Sequence, residues 1–345
     1  MKTVKRSHTL AAGHPAKGAG FIRGLRPLAF AATSLLSLAA HPQSSPADYP
    51  AQPITIIVPF TVGGGSDAVT RIITTRITER TGKAIIIDNR GGAGTNIGNE
   101  MAARAAPNGY TYLLGQFTLA INPSLYKKLQ YRVDKDFIPV AHIADSPTIL
   151  SVGMKSPITD VRSLIERARA APGSLNYGSG GTGTPPHLSG ELLQKLTGIK
   201  LVHVPYKGSG PAMTDVIAGQ LDFCIDTSGG VIPQIEGGKL KGLAIAGPKR
   251  LSEIPDVPTF AEAGLRDMEV LAWYGFVAPT GTPEAAVKWM NTRVNEAIAD
   301  PTVAARLQKI GALPVGGTPQ ELGRFMQKET TRWAGIIREL NIQLD

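Results

Sequence analysis

Four loops of this 345-residue chain concentrate uncharged hydrogen-bond donors. The first, Gly63-Gly64-Gly65-Ser66-Asp67, joins an apolar run to a helical pattern. Free backbone N–H groups and the helix dipole at such a junction favour an anion, and Ser66 adds a hydroxyl. The second, Gly178-Ser179-Gly180-Gly181-Thr182-Gly183-Thr184, is rich in hydroxyls and N–H groups and leads to His187 in a first helical turn. The third, Gln116 to Asn122, ends a strand with side chains that can donate, Thr118 and Asn122 among them. The fourth is Asp226-Thr227-Ser228-Gly229. Asp226 can take an amine or orient a hydroxyl; its alternative role is to cap its own loop. Few cations stand near these donors. The set suits a small carboxylate or other polar metabolite held by dipoles, hydroxyls and waters. The plain alternatives are glycines that only make tight turns and a His187 that only packs locally.

Other chemistries lack their residues. A phosphate-cradling P-loop needs a Lys after its glycines, and none follows Gly65. Gly92, Gly94 and Gly98 have the wrong spacing for a dinucleotide fingerprint. No G-x-S-x-G elbow exists. His142, His187 and His203 are scattered, without metal-ligand spacing, and His203 in an apolar run reads as structural. The single Cys, Cys224, has apolar neighbours; it reads as a core residue and excludes an internal disulfide. We therefore assign no catalytic residue, metal or cofactor. An exported enzyme stays open as an alternative, for instance a lyase using His187 and Asp226.

The elements that must position these loops alternate strand and helix, which is the pattern of an α/β fold. Ile54–Val58 is a near-continuous apolar run, as in a strand covered on both faces. Ser66 can cap the next helix, whose apolar face is Val69, Ile72, Ile73 and Ile77, with Gly82 as its stop. Strands follow at 84–88, 110–114 and 137–143. A second series starts with a strand at 148–152 and a helix at 160–170. It continues through strands at 175–177, 201–204, 221–225 and 243–246, with a helix capped by Thr184. A Pro-rich connection, one more strand at 274–278 and three helices at 284–299, 301–310 and 320–340 complete the chain. Two α/β units result, with loops at the carboxyl ends of their strands facing a cleft.

The formal charge of +9 sits largely in the first 47 residues, which hold six basic residues and no acidic one. The rest carries +3, no footprint for a nucleic acid. Basic residues to Arg26 precede a 14-residue apolar stretch, Pro27–Ala40, shorter than the roughly 20 that span a bilayer. Residues 1–41 read as a secretory signal cut at about 39–47, with an uncleaved anchor or a plain tail as alternatives. The expected location is the periplasm.

Several segments together carry a resemblance. They include Pro53-Ile-Thr-Ile-Ile-Val-Pro-Phe60 with its Gly run, Asp88-Asn-Arg-Gly-Gly-Ala-Gly-Thr-Asn-Ile-Gly98 and Ala106-Pro-Asn-Gly-Tyr110. They continue with Ile121-Asn-Pro-Ser-Leu-Tyr126, His203-Val-Pro-Tyr-Lys-Gly-Ser-Gly-Pro-Ala212, Asp256-Val-Pro-Thr259 and Phe276-Val-Ala-Pro279. The chain resembles, over nearly all of residues 49–345, the Bug-type receptors that serve tripartite tricarboxylate transporters. The resemblance implies a two-lobed periplasmic binding protein of type II, a Venus flytrap, with lobe 1 at 48–146 plus 251–345 and lobe 2 at 147–250. It implies a monomer that captures an organic acid by hinge closure and hands it to transmembrane permease subunits. A receptor that reports to a sensor kinase is the alternative. The carboxylate would lie on Pro59 to Asp67, through Gly63, Gly64, Gly65, Ser66 and Asp67, with bridging waters. Ser179, Gly180, Thr182, Thr184, His187, Asp226 and Thr227 would face it from lobe 2, and Phe117 to Asn122, with Thr118, would complete the wall. Pro185-Pro186 and Gly229-Gly230 depart from the family pattern and would reshape that wall.

If the leader is cut as expected, mass spectrometry of the exported protein will place its N-terminus between residues 39 and 47. An intact Met1 on the exported chain would refute the signal reading.

Overall fold

The structure is a computed structural model. It describes residues 49–344 apart from Lys207; the expected leader lies outside them. The first half begins with β1 (Ile54–Val58), flanked in parallel by β2 (Ile85–Asn89) and β3 (Thr111–Gln116). Between them run α1 (Gly65–Thr81) and α2 (Asn96–Ala103), and α3 (Phe117–Leu125) follows β3. After α4 (Val133–Asp136) comes β4 (Phe137–Gly153), a strand of 17 residues.

The second half holds α5 (Val161–Ala170), β5 (Asn176–Ser179), α6 (Pro185–Thr197) and β6 (Val202–Pro205). It continues with α7 (Ser209–Ala218), β7 (Phe223–Thr227), α8 (Ser228–Glu236) and β8 (Leu240–Ala246). The chain returns in β9 (Leu271–Pro279) and ends with α9 (Glu284–Ile298), α10 (Pro301–Lys309), β10 (Leu313–Pro314) and α11 (Pro319–Glu339). The strand order is β2-β1-β3-β9-β4-β7-β5-β6, with β8 and β10 also on β4.

Residues 137–143 and 148–152, expected as two strands, are one. The first part of β4 pairs with β9 from Phe137 opposite Pro279 to Pro147 opposite Leu271. The second part pairs with β7 and β8, and Thr148 faces Thr227 and Ala246. The polar Asp145-Ser146-Pro147 step suggests a turn, but its side chains are satisfied inside the sheet. His142 Nε2 lies 2.8 Å from Asp145 Oδ1, and the Ser146 and Ser228 hydroxyls are 2.8 Å apart. Register shifts at Pro139/Ala141 and His142/Ala144 absorb the bends.

Helix starts show a second difference. Gly64 stands at the cap of α1, and no side-chain oxygen caps the helix, so Ser66 does not play the capping role expected of it. Gly82 in the left-handed region ends it, as the sequence implies. Residues 117–122, read as a strand-end segment, belong to the helix α3, which runs to Leu125 despite Pro123 because Phe117, Ile121 and Leu125 are all buried at helical spacing. Phe117 meets Trp333 of α11 edge-on at 5.1 Å.

The Pro-rich connection does not leave the second half at 251. Leu251, Ile254 and Val257 share a core with Ile149, Met213, Cys224 and Ile245, and Phe260 N–H donates to Ile245 O at 2.9 Å. The return to the first half comes at β9. Cys224 is buried in that core, where burial pushes its thiol up to about 12; it packs rather than reacts.

α6 lies so close to β5 that a Cβ on Gly190 would stand 2.2 Å from the Tyr177 ring. Gly190→Ala should therefore cost about 1–3 kcal/mol in urea denaturation, as overpacking does. Gly335→Ala, where nothing lies within 4 Å, is the control and should be neutral or stabilising. Equal effects of the two would contradict the packing described.

Candidate ligand-binding site

The segments that follow β1, β2, β3 and β5 each lead into a helix and meet at one place between the halves. A cavity of about 280 Å³ lies among these segments. Phe60, Thr61, Gly92, Thr95, Thr118 and Asn122 line it from the first half, and Thr182, Gly183 and Thr184 from the second. Leu125, Tyr126 and Leu344 add apolar wall. No Lys, Arg, Asp or Glu is among its lining residues, so an anion there meets only dipoles. A larger cavity of about 690 Å³ opens among α3, α4 and α11 and touches none of the strand-to-helix loops; we place the site in the smaller one.

The α1 loop is built around Asp67, which is 3% exposed. Its Oδ2 accepts from Gly63 N–H at 3.0 Å and from Arg71 Nε at 2.9 Å; its Oδ1 accepts from Asn89 at 3.2 Å. The bond from the Arg71 guanidinium, helped by the Gly63 and Asn89 donors, holds the carboxyl below its usual range. Asp67 thus braces the loop, and its oxygens are spent on the protein. Ser66 Oγ takes the Gln116 amide, which ties the loop to β3. Gly64 and Gly65 leave their N–H groups at an uncapped helix start.

The sequence reading missed the turn beside this loop. Gly92, Ala93, Gly94 and Thr95 all have positive φ, at 128°, 47°, 59° and 79°. Ala93 and Thr95 store strain in that region, a common mark of binding loops. Asn122 holds the turn by donating to Gly94 O at 2.9 Å and Asn96 Oδ1 at 2.8 Å. Thr95 Oγ1 donates to Thr118 Oγ1 at 3.0 Å. Only Gly can occupy 94, where a Cβ would lie 2.2 Å from the Tyr126 hydroxyl. The glycine spacing was visible in the sequence; the anchoring by Asn122 from a helix was not.

In the second half, Thr182 and Thr184 line the cavity and Gly183 faces Leu125 and Leu344 across it. Thr184 Oγ1 donates back to Gly181 O at 2.7 Å. Ser179 lies beneath this loop, with its Oγ 2.6 Å from His203 Nε2 and 3.1 Å from the Gly181 N–H that it accepts. His187 accepts Gly183 N–H at Nδ1, 3.1 Å away, and is 6% exposed. Burial first, then the neighbouring His203, pushes its pKa down to about 4. Among the described residues it is not in the cavity wall. Gly180 lies against Ser209 at the start of α7.

The chain as a whole matches known proteins. Residues 69–342 match the tripartite tricarboxylate transporter family receptor, TctC. Protein BugT of Bordetella pertussis is 35% identical over 86% of this chain and 91% of its own length. The chain belongs to the tripartite tricarboxylate transporter receptor family. Two solved relatives share its two-lobed periplasmic binding protein fold. The R. palustris protein Rpa4515, solved with adipate, is 36% identical with a TM-score of 0.78, covering 86% of this chain and all of that one. MatC from Rhodopseudomonas palustris, solved with malate, is 35% identical with a TM-score of 0.74, covering 84% of this chain and all of that one.

In this family member the remaining site residues divide. Asp226 is 4% exposed, and its Oδ1 accepts from Thr227 N–H at 2.7 Å and Thr227 Oγ1 at 3.4 Å. Burial raises its pKa, against the opposing Ser209 and Thr227 donors. It lies near Tyr274, whose hydroxyl approaches Gly65, but it is not in the wall of the cavity. Gly229 is likewise turned away from it. A Cβ there would meet Ile310 O at 2.5 Å, so this departure serves the seam with the turn after α10. Pro185 takes the first position of α6, where no N–H is needed.

The brace at Asp67 makes a pH-dependent prediction. Its folded pKa is lowered, so its contribution is present above the ordinary value and is lost as pH falls through the folded one. Asp67→Asn should destabilise by about 1 kcal/mol or more at pH 7 in urea denaturation, and the difference should shrink towards pH 3. A difference that grows on acidification would contradict the assignment.

Proposed function

We propose that this chain is a periplasmic receptor that captures a small carboxylate between its two halves and delivers it to the permease subunits of a tripartite transporter. The observation that carries the reading is the uncharged, donor-rich cavity at the seam of the halves. Thr61, Thr95 and Thr118 face Thr182 and Thr184 across it. The family match and the relatives solved with adipate and malate support the ligand class. Lobe 1 comprises 48–146 with the returning chain from about 271, and lobe 2 comprises 147 to about 270. Closure turns on the two crossing strands, β4 and β9. A ligand that touches both lobes stabilises the closed state by its differential affinity for it, and the permease recognises that state. The receptor acts as a monomer.

Gly64, Gly65 and Ser66 offer N–H groups to the carboxylate through waters, with Thr61 beside them. Thr182 and Thr184 offer hydroxyls from lobe 2. Neutral donors hold an anion without burying a cation, which avoids the several kcal/mol that desolvating each ion costs.

Thermal shift of residues 42–345 against malate, adipate, citrate, acidic amino acids and aromatic acids tests this. A ligand at 100 times its Kd stabilises by about 2.7 kcal/mol, a rise of roughly 5 °C for a protein of this size. X-ray scattering with the same acid should show a smaller radius of gyration. Protein unfolded and refolded to strip any carried-over solute should respond alike. No shift from any acid after refolding would refute the reading.

A further inference from the structure

The cavity wall of lobe 2 is hung on two histidines that do not reach the cavity. The β5–α6 loop presents Thr182, Gly183 and Thr184. Behind it, Gly183 N–H donates to His187 Nδ1 at 3.1 Å. A backbone N–H can only donate, so Nδ1 carries the lone pair and Nε2 carries the ring proton. Gly181 N–H donates to Ser179 Oγ at 3.1 Å, and that oxygen sits 2.6 Å from His203 Nε2. The two imidazoles are 4.2 Å apart, and Tyr177 flanks His203 at 5.0 Å. Alternate backbone N–H groups of the loop are thus held by two neighbouring rings, one directly and one through Ser179.

We propose that His187 and His203 are positioning residues of the ligand site, which set the lobe 2 wall through the Gly181 and Gly183 amides, and that His187 must be neutral to do so. The inference rests on the carboxylate reading above and assigns His187 a role through the loop instead of direct contact. A proton on Nδ1 would set a donor against the Gly183 donor and break the contact. The groups that face the His187 ring are His203 from β6 and Glu191 on α6, and the Tyr177 hydroxyl from β5 donates to the His187 backbone carbonyl at 3.2 Å. Glu191 Oε1 lies 3.8 Å from Nε2 and already accepts from the Tyr177 hydroxyl at 2.9 Å. Burial lowers the pKa of both rings, and His187 is pushed down to about 4, so its Nδ1 stays an acceptor through mild acid. The sign is that of a lowered group: the fold loses stability as pH falls from the ordinary 6.5 towards 4, and the loop contact goes when the folded ring protonates.

His187→Asn keeps an acceptor near the place of Nδ1 and cannot titrate; His187→Gln puts its amide at the place of Nε2 and loses that acceptor. With malate and adipate as probes at pH 7, calorimetry should find the Asn variant within about threefold of wild type and the Gln variant about tenfold weaker, the worth of one hydrogen bond. The wild-type to Asn-variant ratio of affinities should fall as pH drops to about 4; protonation of the acid itself cancels in that ratio. Nitrogen-15 NMR of the ligand-free wild type should show His187 as the Nε2–H tautomer down to about pH 5. Equal affinities for the Gln and Asn variants, or His187 found as the Nδ1–H tautomer or titrating near 6.5, would overturn the proposal. If wild type binds neither acid while the Nε2–H tautomer is present, the carboxylate reading fails instead.

Discussion

A strand buried along its whole length cannot stop half-way without stranding backbone N–H and C=O groups in the core. β4 is such a strand. Its first part is paired by β9, its second by β7 and β8, and nearly every residue from Val140 to Gly153 is buried. The chain therefore passes from one half to the other in extended form and returns once, in β9. That constraint directs the carboxyl ends of strands in both halves to a common seam, and with them the segments after β1, β2, β3 and β5. The uncharged cavity follows from this geometry rather than from any one residue.

Charge is managed away from the cavity. Asp67 is buried but tied to Arg71, Gly63 and Asn89, and its effect is to shape the loop. Asp226 is buried without an ion pair among the described residues, and its partners are hydroxyls and one amide. Burial pushes the pKa of both His187 and His203 down, away from the charged form. Behind the cavity wall lies a layer of polar side chains, Asp67, Gln116, Ser179 and His187, that hold the surrounding loops in place. Neutral donors preorganised in this way need little reordering on binding.

Much of this was legible in the residues. The apolar run Ile54–Val58, the stop at Gly82, the Thr184-Pro185 start of α6 and the three C-terminal helices follow from local rules. The 116–122 and 178–184 segments, parts of which line the cavity, were singled out by their donors, whereas the turn at 92–95 was not. Three features were not legible. The continuity of β4 depends on Ser146 and Asp145 finding partners at Ser228 and His142, and a local reading of Asp-Ser-Pro suggests a turn. α3 was obscured by Pro123, whose cost is outweighed by burial of its apolar face. The division of the polar residues into cavity wall and supporting layer turns on distances such as Gly183 to His187, which sequence spacing cannot supply. The family resemblance located the loops; it did not separate Thr182 and Thr184 from Ser179, His187 and Asp226.

The central claim is that one small acid sits at the seam and touches both lobes without a cation. A crystal structure of the protein grown with malate or adipate tests it directly. The account predicts the acid among Thr61, Thr95 and Thr118 on one side and Thr182 to Thr184 on the other, with its carboxylate on N–H groups, hydroxyls and waters. An acid bound in the cavity among α3, α4 and α11, or one clamped by an arginine or lysine, would contradict it.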